Sequence, residues 1–492
     1  MRRILSNPCT ALLVGACLRL FFVLKFPAGS GDTVIYEQLA SNWLKHGKYA
    51  MDIAGQPVPV DLRMLGYPAF LAILYALSGR TGDSARLIVM LAQVAVDLAT
   101  CLLIAGLAAL LTHIYGNHLK AGRAFAVALW LAALCPVTAN YVAVPLTEIW
   151  AIFFTALAFV FLIVLLVCIK SAPLPHQLPR FLRTRNLLVP AALFGATIGL
   201  GTLFRPETPL LLATSLLLLT YWMWRQRQTR ALLKMAFVMG AAFLLPLFPW
   251  TIRNARTFHE FQPLAPRDAT LPGEYDPKGF MAWERTWLYR VRDCYLVPWK
   301  LNEESINLED IPASAFDTSD EKERVAAVLE TYNDDLSLTE AEDAVFAQLA
   351  RERTARHPLR TYLWIPLRRA GRIWFTPRIE LLPVSGHVCP LAYMHEEDPV
   401  DQRVTIFYFV LNFLYVGLAI AGICKLWTAR AVRSAILLIV FYILVRTAFL
   451  TTIETPEPRY TLVCFPALLA LGAQLFTGNG SVSKESGLST QG

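Results

Sequence analysis

The sequence predicts an all-α polytopic membrane protein, and three observations carry that prediction. Apolar residues gather in ten blocks, basic residues gather in alternate connectors, and one long acidic segment follows the seventh block. Hydrophobic residues make up 55% of the 492 positions and charged residues 17%, against roughly a quarter charged in an average globular chain. The blocks lie at 5–26, 87–111, 125–141, 146–169, 187–203, 210–224, 232–250, 404–424, 435–449 and 462–476. Crossing a hydrocarbon core of about 30 Å takes roughly 20 residues. The shorter blocks therefore recruit flanking aromatic or proline-containing turns, and the expected number of spans is about ten, with twelve as the upper bound. A soluble helical protein could not bury so many helices that are apolar all round.

Charge placement orients the chain. The connectors 113–123, 170–186, 225–234 and 425–433 hold Lys and Arg and no Asp or Glu. With Arg2 and Arg3 they place both termini in the cytoplasm by the positive-inside rule. The opposite connectors, 27–83, 142–145, 204–209, 251–403 and 450–459, are then extracytoplasmic, in the plasma (inner) membrane of a cell. The net charge of +8 is thus a topology signal and gives no reason to expect a nucleic-acid partner. The start of the chain looks like a signal peptide, but it lacks a small-x-small site and Arg19 interrupts it, so it reads as an uncleaved first span. The expected organisation is a transmembrane module over 1–260, including the first outer loop 27–83. It is followed by an outer segment at 251–403, final spans over 404–477 and a disordered cytoplasmic tail at 478–492. Seven of the nine cysteines lie in or beside spans; only Cys294 and Cys389 fall in the outer segment, where a disulfide between them is permitted.

The outer connectors are rich in structure signals. In the first, Ile35, Leu39, Trp43 and Leu44 recur at helical spacing, which predicts an interfacial helix over 34–46. Residues 69–77 are apolar but too short to span, and read as a re-entrant or interfacial helix. The segment from 253 to 402 contains 26 acids against 18 Lys or Arg. Helices are expected at 320–332 and 339–356, the second capped by Ser337 or Thr339 with acids in its first turn. The mixed stretch 359–375 reads as an interfacial helix whose arginines (Arg360, Arg368, Arg369, Arg372) lie beside lipid headgroups.

The ionisable residues of these connectors suggest a composite site. Asp32 follows the first span, either as a helix cap or as a base positioned to deprotonate a hydroxyl. Glu148 lies at the outward end of the fourth span, where a charge needs a partner or a cavity. Arg205-Pro206-Glu207 puts opposite charges on one hairpin tip, as a mutual ion pair or as cavity lining. Arg63, Arg253, Arg256, His259 and Arg459 add cations at the same depth, and Arg presents a fork of donors suited to phosphate. Arg19 and Asp97 are expected to pair within the bundle. No Walker loop, dinucleotide motif, CxxC pair, HExxH or nucleophile elbow is present, so no nucleotide cofactor is expected.

The order of these features resembles that of the polyprenyl-phosphate-dependent glycosyltransferases of the C-type fold, which include protein O-mannosyltransferase-like and aminoarabinose transferase-like enzymes. It rests on Asp32 after the first span, Arg63-Met64-Leu65-Gly66-Tyr67-Pro68, Thr147-Glu148, Arg205-Pro206-Glu207, the 249–254 stretch and Arg459-Tyr460. It covers roughly 1–260 well, is only generic over the last spans and is weak over 270–400. The resemblance implies inverting transfer of a sugar from a polyprenyl-phosphate donor to a hydroxyl of a protein, lipid or glycan acceptor outside the cytoplasm. Asp32 would be the base and Glu148 a second catalytic acid. Arg63, Tyr67, Arg205, Glu207, Arg253, His259, Arg459 and Tyr460 would bind substrate, and Asp32, Glu148 and Glu207 could hold a divalent metal ion. The competing readings are an oligosaccharide or polymer ligase of the same fold and a non-enzymatic transporter of lipid-linked glycans.

Overall fold

The computed structural model describes residues 7–116, 120–170, 186–266, 271, 274–384 and 398–477. The first apolar block forms α1 (Pro8–Lys25), started by the Asn7 side chain, which accepts from the Cys9 amide. The first loop then folds as α2 (Gly31–His46), a two-stranded hairpin of β1 (Ala50–Ile53) and β2 (Gln56–Pro59), and α3 (Gly66–Ser78). The hairpin departs from the all-α expectation. Ala54 and Gly55 both take positive φ, the backbone of a tight two-residue hairpin turn, and the strands pair with Ala50 opposite Pro59.

The bundle continues with α4 (Arg86–Ile114), α5 (Ala121–Ala133), α6 (Pro136–Ala139), α7 (Glu148–Ile169), α8 (Leu188–Thr202), α9 (Pro209–Arg225) and α10 (Thr229–Phe258). Among the described residues seven helices are long and apolar enough to cross a membrane, or eight if α5 and the segment beginning at α6 form one span bent by 49°. The bend lies where Pro136 opens a new helix, as a proline without an amide hydrogen does. The blocks 187–203 and 210–224 become helices of only 15 and 17 residues, shorter than an unaided span. The last span, Pro458–Thr477, is wound as 3-10 turns at both ends. The bent pair and the two short helices separate the observed number from the expected ten, since the last span is among the seven.

Two features fix the packing. On α8, a Cβ at Gly195 would meet the Met239 carbonyl oxygen at 2.1 Å, and one at Gly199 the Phe243 oxygen at 2.3 Å. The bare glycine face thus lets α8 lie backbone to backbone on α10. Deep in the bundle, Arg19 of α1 donates to Asp97 of α4 at 2.7 Å and to the carbonyls of Gly15 and Ala133 at 3.0 and 2.7 Å. The expected internal pair forms, fully buried.

The segment after α10 contains α11 (Lys278–Glu284), α12 (Val291–Leu296), α13 (Ser319–Asp335), α14 (Glu340–Arg356) and α15 (Ile365–Phe375). It has its own core, in which Phe280, Trp283, Trp287, Tyr332 and Phe346 are buried together. Thr339 starts α14 through a capping box with Glu342. Buried Arg353 pairs with Glu321 at 2.7 Å and Asp317 at 3.3 Å. The arginines of 359–375 correct an expectation: Arg360 is paired with Asp317, and Arg369 is buried, donating to the carbonyls of Leu288, Thr451 and Arg285. Both are internal ties, Arg360 through a carboxylate and Arg369 through carbonyls that need a donor once buried. The Cys294–Cys389 pairing lies outside the described residues, since Cys389 does. The spans α16 (Pro399–Trp427) and α17 (Arg430–Leu450) and the helix α18 (Phe465–Gly472) complete the chain.

Replacing Arg19 by Met leaves Asp97 as an unpaired buried carboxylate and is expected to cost about 3–5 kcal/mol, with much of the loss recovered in Arg19→Met/Asp97→Leu. Thermal unfolding in detergent reads both variants; equal losses would show that the pair is not the origin.

Candidate active site

The loop order at one end of the bundle brings five separate segments around one cavity of about 530 Å³. Asp32 lies in the first turn of α2, where the helix dipole favours an anion. It does not cap that helix. Ser30 does so in a reciprocal pairing with Thr33, whose hydroxyl accepts from the Ser30 amide at 3.1 Å. The Asp32 carboxylate is left to meet Arg63 at 2.7 Å and Arg459 at 3.5 Å.

Arg63 sits between the hairpin and α3, with its own carbonyl accepting from the Tyr49 hydroxyl at 2.9 Å. Three residues on, the Gly66 amide donates to the Leu203 carbonyl at 2.7 Å, and a Cβ at Gly66 would lie 2.6 Å from that oxygen. Only glycine lets the first loop approach the end of α8 so closely. That contact sets Arg63 and the following Arg205 on one cavity.

Glu148 is the first residue of α7 and is buried, with one oxygen engaged by Arg205 and reached by Arg459 at 3.5 Å. Its other oxygen has no hydrogen-bond partner. Glu207 lies 3.9 Å from Arg205 and 3.2 Å from Arg446 of α17. Arg459 also donates to Glu457 at 3.1 Å, and the Tyr460 hydroxyl donates to the same carboxylate. The Tyr460 ring faces the guanidiniums of Arg205 and Arg459 at 5.4 and 5.7 Å. The result is one alternating string: Arg63, Asp32, Arg459, Glu148, Arg205, Glu207, Arg446.

The string sets protonation. Burial would raise the Asp32 carboxyl, but Arg63 and Arg459 outweigh it and hold it below the usual carboxylate range. Burial likewise opposes Glu207, and Arg205 and Arg446 hold it low. Tyr36, on the cavity wall, is pushed up to about 12 by burial and by Asp32. The cavity therefore presents ionised carboxylates, arginines and a neutral phenol.

Of the expected site residues, Asp32, Arg63, Glu148, Arg205, Glu207, Arg459 and Tyr460 line this cavity. Three do not. Arg253 donates to the carbonyls of Val60 and Tyr49 at 2.9 and 2.8 Å and lies among the rings of Tyr49, Trp250 and Phe258. Its cation ties the hairpin to α10. His259 ends α10 with a positive φ and is exposed. Tyr67 is fully buried and donates to Gln93 at 2.8 Å. Gln93 in turn holds the carbonyls of Val142 and Val144, so Tyr67 positions the turn before Glu148 from behind. Arg446, Glu457 and Tyr36 join the site without being among the expected residues. A cation at 446 inside the apolar block 435–449 was the available signal.

The metal expectation fares differently. Among the described residues no group of three or more His, Cys, Asp or Glu side chains converges. Asp32, Glu148 and Glu207 each face guanidiniums instead.

No protein-family model matches the sequence, and no curated protein is detectably similar. Among solved structures, the oligosaccharyltransferase AglB of Archaeoglobus fulgidus, in complex with an inhibitory peptide and a dolichol-phosphate, is 13% identical with a TM-score of 0.47. That comparison covers 94% of this chain and 50% of that one. The same archaeal enzyme in complex with Zn and sulfate is 14% identical at a TM-score of 0.46, covering 94% and 48%. ArnT from Cupriavidus metallidurans bound to undecaprenyl phosphate is 12% identical at 0.35, covering 94% and 77%. The chain spans about half the length of the archaeal enzyme.

Asp32 and Glu207, held low in the folded state, contribute stability above the unfolded carboxylate value near about 4, and that contribution disappears as pH falls through their folded values. Arg459→Gln removes part of it and leaves Glu148 and Glu457 undercompensated. Its unfolding temperature is expected to fall well below that of the parent at pH 7, with the gap closing as the carboxylates protonate below about pH 4. A gap independent of pH would contradict this network.

Proposed function

We propose that the chain transfers a sugar from a polyprenyl-phosphate-linked donor to an acceptor hydroxyl, in the cavity around Asp32, on the extracytoplasmic side of the membrane. The observation that carries this reading is the pairing, in one cavity at the end of an apolar bundle, of an ionised carboxylate with three lining arginines. The segregation of basic connectors to the other end supports the sidedness.

The chemistry needs little else. A sugar phosphodiester carries one negative charge, and its leaving group, a polyprenyl monophosphate, gains a second as the C1–O bond breaks. Arg63, Arg205 and Arg459 stabilise that developing charge without reorganising. Each guanidinium has five N–H donors, more than its carboxylate contacts use, so a phosphate adds to the network. The acceptor oxygen forms its bond to C1 on the opposite face, its proton passes to Asp32, and the configuration inverts. Asp32 is a weak base here. It suffices because the proton becomes acidic only as the C1–O bond to the acceptor forms. Glu148 fixes Arg205 and Arg459. A transporter would need polar groups along a path at mid-membrane. The mid-bundle charges Arg19 and Asp97 are instead internally satisfied and buried.

The test is release of polyprenyl phosphate from a synthetic polyprenyl-phosphate sugar in the presence of solubilised membrane acceptors. Asp32→Asn is expected to lower turnover by about 10²–10⁴-fold while donor affinity stays within a few fold. Unchanged turnover would remove Asp32 as the base. Arg63→Ala is expected to weaken both donor binding and turnover; an effect on neither would remove the arginines as the phosphate site.

A further inference from the structure

A second cavity of about 490 Å³ lies beside the first and shares Phe449, Ile453 and Tyr460 with it. Its far wall comes from the segment after α10: Phe280 and Glu284 of α11, with Trp299 beyond α12. Its near wall is the 452–455 loop that follows α17. The volume lies within the range of small-molecule sites.

Glu284 is the unexplained group. The residue is 1% exposed, lines this cavity, and its Oε1 has no hydrogen-bond partner. A carboxyl oxygen left so in an apolar wall is costly. Burial and the neighbouring Glu454 push its acid well above the usual carboxylate range, against Arg369 and Arg285. A neutral carboxyl both donates and accepts, which is the complement of a hydroxyl. On the same wall, Trp299 is 37% exposed and held edge-on by Tyr295 at 4.3 Å between ring centroids. A sugar ring has an apolar C–H face and a hydroxyl edge, and this cavity offers an aromatic plane and a neutral acid to match. An acyl chain would leave the Glu284 carboxyl unpaired.

We propose that this second cavity is a saccharide-binding subsite that seats the acceptor sugar, with Glu284 bonding its hydroxyls and Trp299 lying against its ring. The assignment rests on the glycosyl-transfer reading for the word acceptor; saccharide binding itself stands apart from it. The shared wall then delivers an acceptor hydroxyl to the Asp32 cavity.

The experiment uses the whole protein in nanodiscs with a panel of methyl glycopyranosides (glucoside, galactoside, mannoside and N-acetylglucosaminide), read by saturation-transfer NMR. At least one glycoside is expected to show ring-proton saturation. Its affinity should fall about tenfold or more in Trp299→Ala and in Glu284→Leu, where a bonded hydroxyl loses its partner. Glu284→Gln, which also donates and accepts, should keep it. Affinity for polyprenyl phosphate should be the same in all three variants. Trp299→Ala alters a partly exposed side chain, so its loss does not depend on a core change. A panel without signal, or signals indifferent to these variants, would overturn the subsite. A parallel loss of polyprenyl phosphate binding would also overturn it and make the cavity part of a lipid site. None of these outcomes bears on Asp32→Asn, so failure of the subsite and failure of the transfer reading remain distinguishable.

Discussion

Arg459 carries one positive charge and meets carboxylates from three parts of the chain: Asp32 after the first span, Glu148 at the head of α7, and its neighbour Glu457. None of those acids would be tolerated alone at the edge of an apolar bundle, where an unpaired charge costs several kcal/mol. The guanidinium makes them tolerable together because its planar fork reaches in several directions at once. From Arg459 the alternation runs one way to Arg63 and the other through Arg205 to Arg446. Four arginines and four carboxylates thus close into a neutral network, and five chain segments are registered against one another by it. A change at any member is felt by the rest, since each group is the counter-ion of the next.

That neutrality has a consequence for the proposed reaction. A cavity with excess positive charge would hold a departing phosphate dianion tightly and release it slowly. A cavity with excess negative charge would repel the donor. A balanced string has neither fault, provided that the spare N–H donors of the arginines point into the cavity. It also leaves Asp32 ionised at physiological pH, since Arg63 and Arg459 outweigh its desolvation. The same arginines lower its basicity, so the chemistry must be one in which bond breaking at the anomeric carbon runs ahead of proton removal.

Most of the network was legible in the sequence because charged residues at the ends of apolar blocks are rare and need a partner. That rule picked out Asp32, Glu148, Arg205, Glu207 and Arg459, all of which line the cavity. It failed for Arg253 and His259, where depth was read correctly and direction was not. Arg253 turns to backbone carbonyls and three rings. Periodicity locates 34–46, and a cap with acids in the first turn locates 339–356, because both are local signals. The hairpin at 50–59 escaped, since strands of four residues carry too few alternations to register. Glu284 escaped as well. Nothing in its neighbours Trp283 and Arg285 distinguishes a buried acid from one on a helix surface, and only the packing of the segment's core decides.

The acidic segment is more than an appendage to this cavity. Arg369 of α15 donates to the carbonyls of Arg285, Leu288 and Thr451, so one buried side chain joins the segment to the end of α17. The Arg285–Glu454 ion pair repeats the tie three residues further along. From Glu454 the chain needs only five residues to reach Arg459. The loop that receives the segment is therefore the loop that delivers the central cation of the network. A displacement of α11 and α15 relative to the bundle would draw on 451–454 and so on Glu457 and Arg459, loosening Asp32 and Glu148 together. The segment's docking contacts and the ion pairs of the cavity are thus joined through the short stretch 454–459. A ligand that fastened α11 to the 452–455 loop would, by the same contacts, hold Arg459 in place.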